Sequence, residues 1–307
     1  MEKLPKNFCV VFFVLLIAAF SSFTWAQSFE TINHNLIIKA EQGLPDAQAS
    51  LGKLYHIGAG VQQDYNQAFK WYERAAEKNH PLAQLGLGLL YEAGNGVDQS
   101  YIEALKWYKL SAGQNVSFAK FLIGRLHLNG YGVKKNATET AKMWQEAASG
   151  GDLDAQKGLA WLYIKGLGVK ESPVESAKWL TRAAEQGDSD SQYKLGRIYN
   201  SGLGVEKNYV EAVKFYTKSA EANNSDAQHS LGLMYFNGAG VPRNYVEAYK
   251  WLSLAARKNF DESETALNVA EKHLTQSQIT EVQKLTAAWP PSFQQTQSEK
   301  AKDHEKK

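Results

Sequence analysis

The chain has 307 residues, 44% of them hydrophobic, with one cysteine and a formal net charge of +2. So weak a charge supplies neither the basic footprint of a nucleic-acid binder nor a polybasic patch for a membrane surface. A single cysteine rules out a disulfide framework and leaves stability to packing.

In chain order, the first element is an apolar run from Phe8 to Phe20. Lys3 and Lys6 precede it, and Ser21, Ser22 and the small-residue site Thr24-Trp25-Ala26 follow it. This is the pattern of a secretory signal, and it is short for an ordinary membrane-spanning helix. Residues 1–26 are therefore expected to be a signal peptide removed before Gln27, the alternative being an uncleaved anchor. Cys9 precedes the run and would leave with it. Loss of Glu2, Lys3 and Lys6 would bring the charge from +2 to +1. The expected mature chain has no integral membrane segment and is periplasmic or secreted; an endoplasmic lumen is the remaining exported compartment.

Residues 27–43 are expected to form an N-terminal capping helix. From residue 44 to 259 one motif then recurs six times at a spacing of 36 residues, with no insertion, as 44–79, 80–115, 116–151, 152–187, 188–223 and 224–259. A fixed period of this length predicts stacked helix-turn-helix units that bury their apolar faces against their neighbours. The first helix of each unit carries Ala47, Gln48, Leu51, Gly52 and Tyr55 or their counterparts, which share one inward face. Gly52, Gly88, Gly124, Gly196 and Gly232 sit inside this helix, with Ala160 in the fourth copy. A mid-helix glycine loses about 1 kcal/mol of helix propensity relative to alanine, so close helix approach is expected there. The G-x-G-V turn follows, first at Gly58-Ala59-Gly60-Val61.

The second helix opens at Asp64, Ser100, Asn136, Ser172, Asn208 and Asn244. Gln67 and glutamates 103, 139, 175, 211 and 247 stand three positions on. That spacing predicts a reciprocal capping box in every copy. The expected buried stripe is Ala68, Trp71, Tyr72, Ala75 and Ala76, echoed by Ala104, Trp107, Tyr108 and Ala112 and by Ala248, Trp251, Ala255 and Ala256. The helix should stop at Asn79, Asn115, Gly151, Gly187, Asn223 and Asn259, which tolerate a left-handed backbone. The third copy departs most, with His127 for Tyr, Thr140 for Ala and Met143 for Trp, which reads as drift in the core. Residues 260–289 are expected to be C-terminal capping helices, and 290–307, after Pro290 and Pro291, a disordered tail.

The search for catalytic chemistry returns no constellation. Each G-x-G joins two helices and follows no strand, so a dinucleotide fingerprint is rejected. The seven histidines include no H-E-x-x-H and no pair spaced to chelate from one helical face. A mature chain without cysteine has no thiol nucleophile and no thiolate metal site. No catalytic residue, metal or cofactor is expected. The sequons at Asn115, Asn136 and Asn223 coincide with helix ends, which already explain them.

The A-x-x-L-G-x-x-Y, G-x-G-V, A-x-x-W-Y and A-A motifs over residues 44–259 resemble the Sel1-like repeats, relatives of the tetratricopeptide repeats with a longer loop between helices. The resemblance implies an all-α, right-handed α/α superhelical solenoid with capping helices. It also implies a non-catalytic scaffold or adaptor whose first helices line a concave groove for a protein or peptide. Some cysteine-rich exported relatives are linked to β-lactams. The alternative implied is thus an exported enzyme or a β-lactam- or peptidoglycan-binding protein, although the paired cysteines of those relatives are missing here.

Framework positions recur because packing demands it, whereas a position facing a partner is free to vary. Three first-helix positions at i, i+4 and i+7 vary from copy to copy, from Ala49, Lys53 and His56 in the first to His229, Leu233 and Phe236 in the sixth. Aromatic side chains and arginine dominate interface hot spots. The residues assigned to partner binding are accordingly Lys53, Phe121, Arg125, Trp161, Tyr193, Arg197, His229 and Phe236. Packing between adjacent first helices is the competing role for Phe121, Leu85 and Leu128.

Overall fold

In the computed structural model, residues 34–257 and 261–289 are described; the expected signal segment, the stop at Asn259 and the tail lie outside them. The described residues are helical and contain no strand. A helix over 34–41 (α1) is followed by six hairpins. These are α2 (Pro45–Ile57) with α3 (Tyr65–Glu77), α4 (Pro81–Ala93) with α5 (Tyr101–Gly113), and α6 (Ser117–Asn129) with α7 (Ala137–Ser149). Then come α8 (Leu153–Lys165) with α9 (Pro173–Glu185), α10 (Ser189–Ser201) with α11 (Tyr209–Glu221), and α12 (Ser225–Asn237) with α13 (Tyr245–Ala256). A last hairpin pairs α14 (Asp261–Glu271) with α15 (Gln276–Ala287). The chain forms two compact units, Met1–Ala147 and Ala148–Lys307, and the division falls inside the last turn of α7 rather than in a loop.

Each hairpin turns on backbone that only glycine adopts freely. Gly58, Gly94, Gly130, Gly166, Gly202 and Gly238 end the first helices in the left-handed region, with φ between 62° and 79°. The N-caps form as expected. The side chains of Asp64, Ser100, Asn136, Ser172, Asn208 and Asn244 each accept from the backbone N–H three residues on.

The reciprocal half of the expected capping box does not form in these helices. The N–H of each N-cap instead donates across the hairpin to the first helix, at 2.9 to 3.0 Å. Asp64 reaches the carbonyl of Tyr55, Ser100 that of Tyr91, and Asn136 that of His127. Ser172, Asn208 and Asn244 do the same to Tyr163, Tyr199 and Tyr235. With that donor satisfied, Glu103, Glu175, Glu211 and Glu247 are left to pair with Lys106, Lys178, Lys214 and Lys250 one turn on. A complete capping box does form at Thr275 and Gln278 of α15. His127, at the Tyr position, accepts this bond through its backbone carbonyl.

The mid-helix glycines mark close helix approach. A Cβ on Gly52 would stand 2.7 Å from the Tyr72 ring, and one on Gly88 2.4 Å from that of Tyr108. Gly124 meets Trp144, and Gly196 meets Tyr216, in the same way. Most of the expected stripe is buried; Trp107, Ala112 and Ala256 are only half-buried. Thr140 fits its apolar position by donating from its hydroxyl to the carbonyls of Gly124 and Asn136, both at 3.0 Å.

Stacking between hairpins uses the recurrent glutamine. Gln48, Gln156, Gln192 and Gln228 are buried and donate to the carbonyls of Ala40, Ala148, Ala184 and Ala220, near the end of the preceding helix. Each of these carbonyls also accepts from the backbone N–H three residues on, in the turn that ends its helix. Asn79, Asn115, Gly151, Gly187 and Asn223 close those helices at positive φ. Gln84 donates to the Asn79 side chain at 2.9 Å and accepts from Gln114 at 2.8 Å. Gln84→Ala should therefore lower stability by about 1 to 3 kcal/mol, the cost of leaving buried polar partners unpaired, measured as a shift in urea midpoint.

Helix α14 continues the 36-residue register: Ser263 follows Ala227, and Leu267 follows Leu231. The last hairpin is thus a shortened copy, in which residues 272–275 replace the glycine turn.

Candidate functional site

The variable first-helix positions behave differently in the two units. In the first, Lys53 is exposed at its position on α2. Phe121 is half-buried, stacked on Trp144 at 5.5 Å and on Phe118 at 6.0 Å. Its carbonyl accepts from the Trp144 indole at 2.9 Å. Arg125 pairs with Glu92 of the preceding hairpin, and Glu92 also accepts from the hydroxyl of the buried Tyr108 at 2.6 Å. Phe121 is thus engaged within its own hairpin, and Arg125 by the preceding one. A long ion pair across stacked repeats could not be seen from one helix face.

In the second unit Trp161, Tyr193 and Arg197 surround one concavity of about 530 Å³. Its walls come from α8, α10 and α12, because residues at one repeat position lie side by side when hairpins stack. Ala160, Leu180, Ile198 and Tyr216 are buried and close its bottom. Trp161 is 43% exposed, and Leu203, from the glycine turn after α10, is 50% exposed.

Arg197 lies with its guanidinium 5.9 Å from the centre of the Tyr193 ring. Burial pushes the Tyr216 phenol up to about 12 and raises that of Tyr193, and both lie within hydrogen-bonding reach of Ser230. Both phenols therefore stay neutral near pH 7. Ser176 lies at the same space, its hydroxyl buried and without a hydrogen-bond partner among the described residues. Lys157 pairs with Asp188 at 2.9 Å, and Asp188 also caps α10 through the Ser191 N–H at 2.8 Å. Lys194 pairs with Asp190 at 2.7 Å.

His229 and Phe236 do not line this space. The His229 Nδ1 lies 2.7 Å from the Ser263 hydroxyl of α14, and Phe236 packs edge-on against Tyr245 at 5.6 Å beside Ala270 and Ile279. The last hairpin occupies their side as the next repeat would. Sequence reasoning passed over Lys194, Ser230 and Leu203. Lys194 and Ser230 share a position that reads Ser50, Gly86, Leu122 and Gly158 in the earlier copies, and Leu203 shares one with Ala59, Asn95, Tyr131, Leu167 and Ala239. Both vary as freely as the three chosen positions, and that variation was the available signal.

Among the described residues, no group of three histidine, cysteine or acidic side chains is placed to hold a metal ion. Nor is any helix among them long and apolar enough to cross a membrane.

Comparison with known structures gives 32% identity to a Sel1 repeat protein from Oxalobacter formigenes, over 76% of this chain and 94% of that one, with a TM-score of 0.62. A second match is c5321, described as a protective antigen of uropathogenic Escherichia coli strains displaying an SLR fold. It is 23% identical over 87% of this chain and 84% of its own, with a TM-score of 0.44. An immunity protein, Pa5087 from Pseudomonas aeruginosa, matches at 22% identity over 69% of this chain and 81% of its own, with a TM-score of 0.41. No curated protein matches. The Sel1 repeat model matches six consecutive segments, 45–80, 81–116, 117–152, 153–188, 189–224 and 225–260. With six uninterrupted copies of that motif folded as stacked helical hairpins, the chain belongs to the Sel1 repeat family.

Proposed function

We propose that this protein is a non-catalytic scaffold that binds a polypeptide partner on the variable face of its first helices, at the concavity of its second unit. One observation carries the reading: Trp161 stands 43% exposed beside Tyr193 and Arg197 at a space of about 530 Å³, on positions that the repeat framework leaves free. An exposed tryptophan, a tyrosine and an arginine converging on a pocket are the composition of an interface hot spot. Sel1 repeat proteins are generally non-enzymatic scaffolds, which supports the same class. The signal-like residues 1–26 support an extracytoplasmic setting, periplasmic or secreted.

The test is affinity capture with the full chain, mass spectrometry of what is retained, and titration of that partner. Replacing Trp161, Tyr193 and Arg197 together by alanine should weaken binding tenfold or more, since one hot-spot anchor is worth about 2 kcal/mol and about 1.4 kcal/mol is tenfold. Replacing Lys106 and Lys214, exposed on second helices, should leave binding nearly intact. Normal binding by the triple variant with loss in the lysine variant would place the interface on the second helices. Capture of the full chain from intact cells outside the cytoplasm would test the compartment.

A further inference from the structure

We propose that the concavity of the second unit takes an acidic side chain next to a large apolar one, both presented by a single segment of the partner. This rests on the reading of that site as a polypeptide-binding surface and names the chemistry it selects.

The charge around the space is one-sided. Its lining includes Lys157, Lys194 and Arg197 and no carboxylate. Two of these cations are already matched, Lys157 by Asp188 and Lys194 by Asp190. Arg197 makes no ion pair with a carboxylate among the described residues and rests instead against the Tyr193 ring. Asp226 is near enough to act on the Tyr193 phenol, yet it does not line the space or reach Arg197 as an ion pair. The guanidinium is also within hydrogen-bonding reach of the Tyr193 hydroxyl, and its remaining N–H donors can meet a carboxylate through two parallel hydrogen bonds.

Trp161 and Leu203 are exposed at the rim, above a bottom made by Ala160, Leu180 and Ile198. A large apolar side chain entering there would remove both rim residues from water, at roughly 25 cal/mol for each Å² of apolar surface covered. A volume of about 530 Å³ lies within the range of small-ligand sites, roughly 300 to 1,000 Å³. It suits one or two side chains rather than a folded domain, so the partner is read through a short segment.

The experiment selects a random dodecapeptide display library on the full chain and on its W161A and R197E variants, with helical content checked by circular dichroism. Peptides enriched on the native chain should carry aspartate or glutamate within two positions of an aromatic residue or leucine. A synthetic copy of an enriched peptide should bind tenfold or more weakly to R197E and to W161A. Changing its acidic residue to lysine should weaken binding to the native chain and restore part of it to R197E. Enriched peptides that depend on Trp161 but lack an acid, or that ignore R197E, would overturn the acidic-ligand proposal and leave the groove reading standing. Enrichment that is no greater on the native chain than on W161A would overturn both.

Discussion

Tyr108→Ala is expected to lower stability by about 3 to 5 kcal/mol, the range for truncating a large buried aromatic side chain. Tyr108 is fully buried in the first unit, packed so closely on Gly88 that a Cβ there would stand 2.4 Å from its ring. Its hydroxyl donates to Glu92, which also holds Arg125 of the next hairpin, so the ring joins two hairpins through one carboxylate. Tyr108→Phe keeps the packing and removes one hydrogen bond, and should cost about 1 kcal/mol. Trp107 is adjacent in sequence and only half-buried, so its truncation should cost less than that of Tyr108. Arg197→Ala, at an exposed position in the other unit, should change stability by no more than about 0.5 kcal/mol. Urea unfolding followed by circular dichroism, with hydrogen exchange in α4 to α6, orders these variants. Equal losses for Tyr108→Ala and Arg197→Ala would mean that the buried and exposed faces are wrongly assigned.

Two glycine-to-alanine substitutions in the first unit should move stability in opposite directions. Gly96, in the turn after α4, has φ of +70°, and a Cβ there would stand 2.5 Å from the backbone oxygen of Tyr65 in the preceding hairpin. The left-handed backbone costs a non-glycine residue about 1 to 2 kcal/mol, and forcing atoms into a packed site typically about 1 to 3 more. Gly96→Ala should therefore destabilise by about 2 to 5 kcal/mol. Gly113 ends α5, and an added Cβ meets nothing within 4 Å. Gly113→Ala should stabilise by up to about 1 kcal/mol through helix propensity alone. Thermal or urea midpoints measure both, and a shift of the same sign for the two would sink the argument.

Much of this architecture follows from short-range terms, which is why it could be read from residues alone. Period, N-cap side chains and left-handed stops act within a few residues, so Asp64 starts a helix and Asn79 ends one whatever surrounds them. Gly52 and its counterparts also announced close packing, because a mid-helix glycine has a cost that a closely packed neighbouring side chain explains. Tertiary structure decided the pairings between hairpins. The N-cap N–H of Asp64 goes to the Tyr55 carbonyl and not to the side chain at the third helical position, since the folded hairpin places that carbonyl 3.0 Å away. Likewise Arg125 is held by Glu92, His229 meets Ser263, and Trp161 alone of the variable aromatics stands exposed beside an open concavity. Pairing across a stack depends on which side chain the neighbouring copy offers some 30 to 36 residues away, and the variation that marks such a position does not say whether the neighbour fills it.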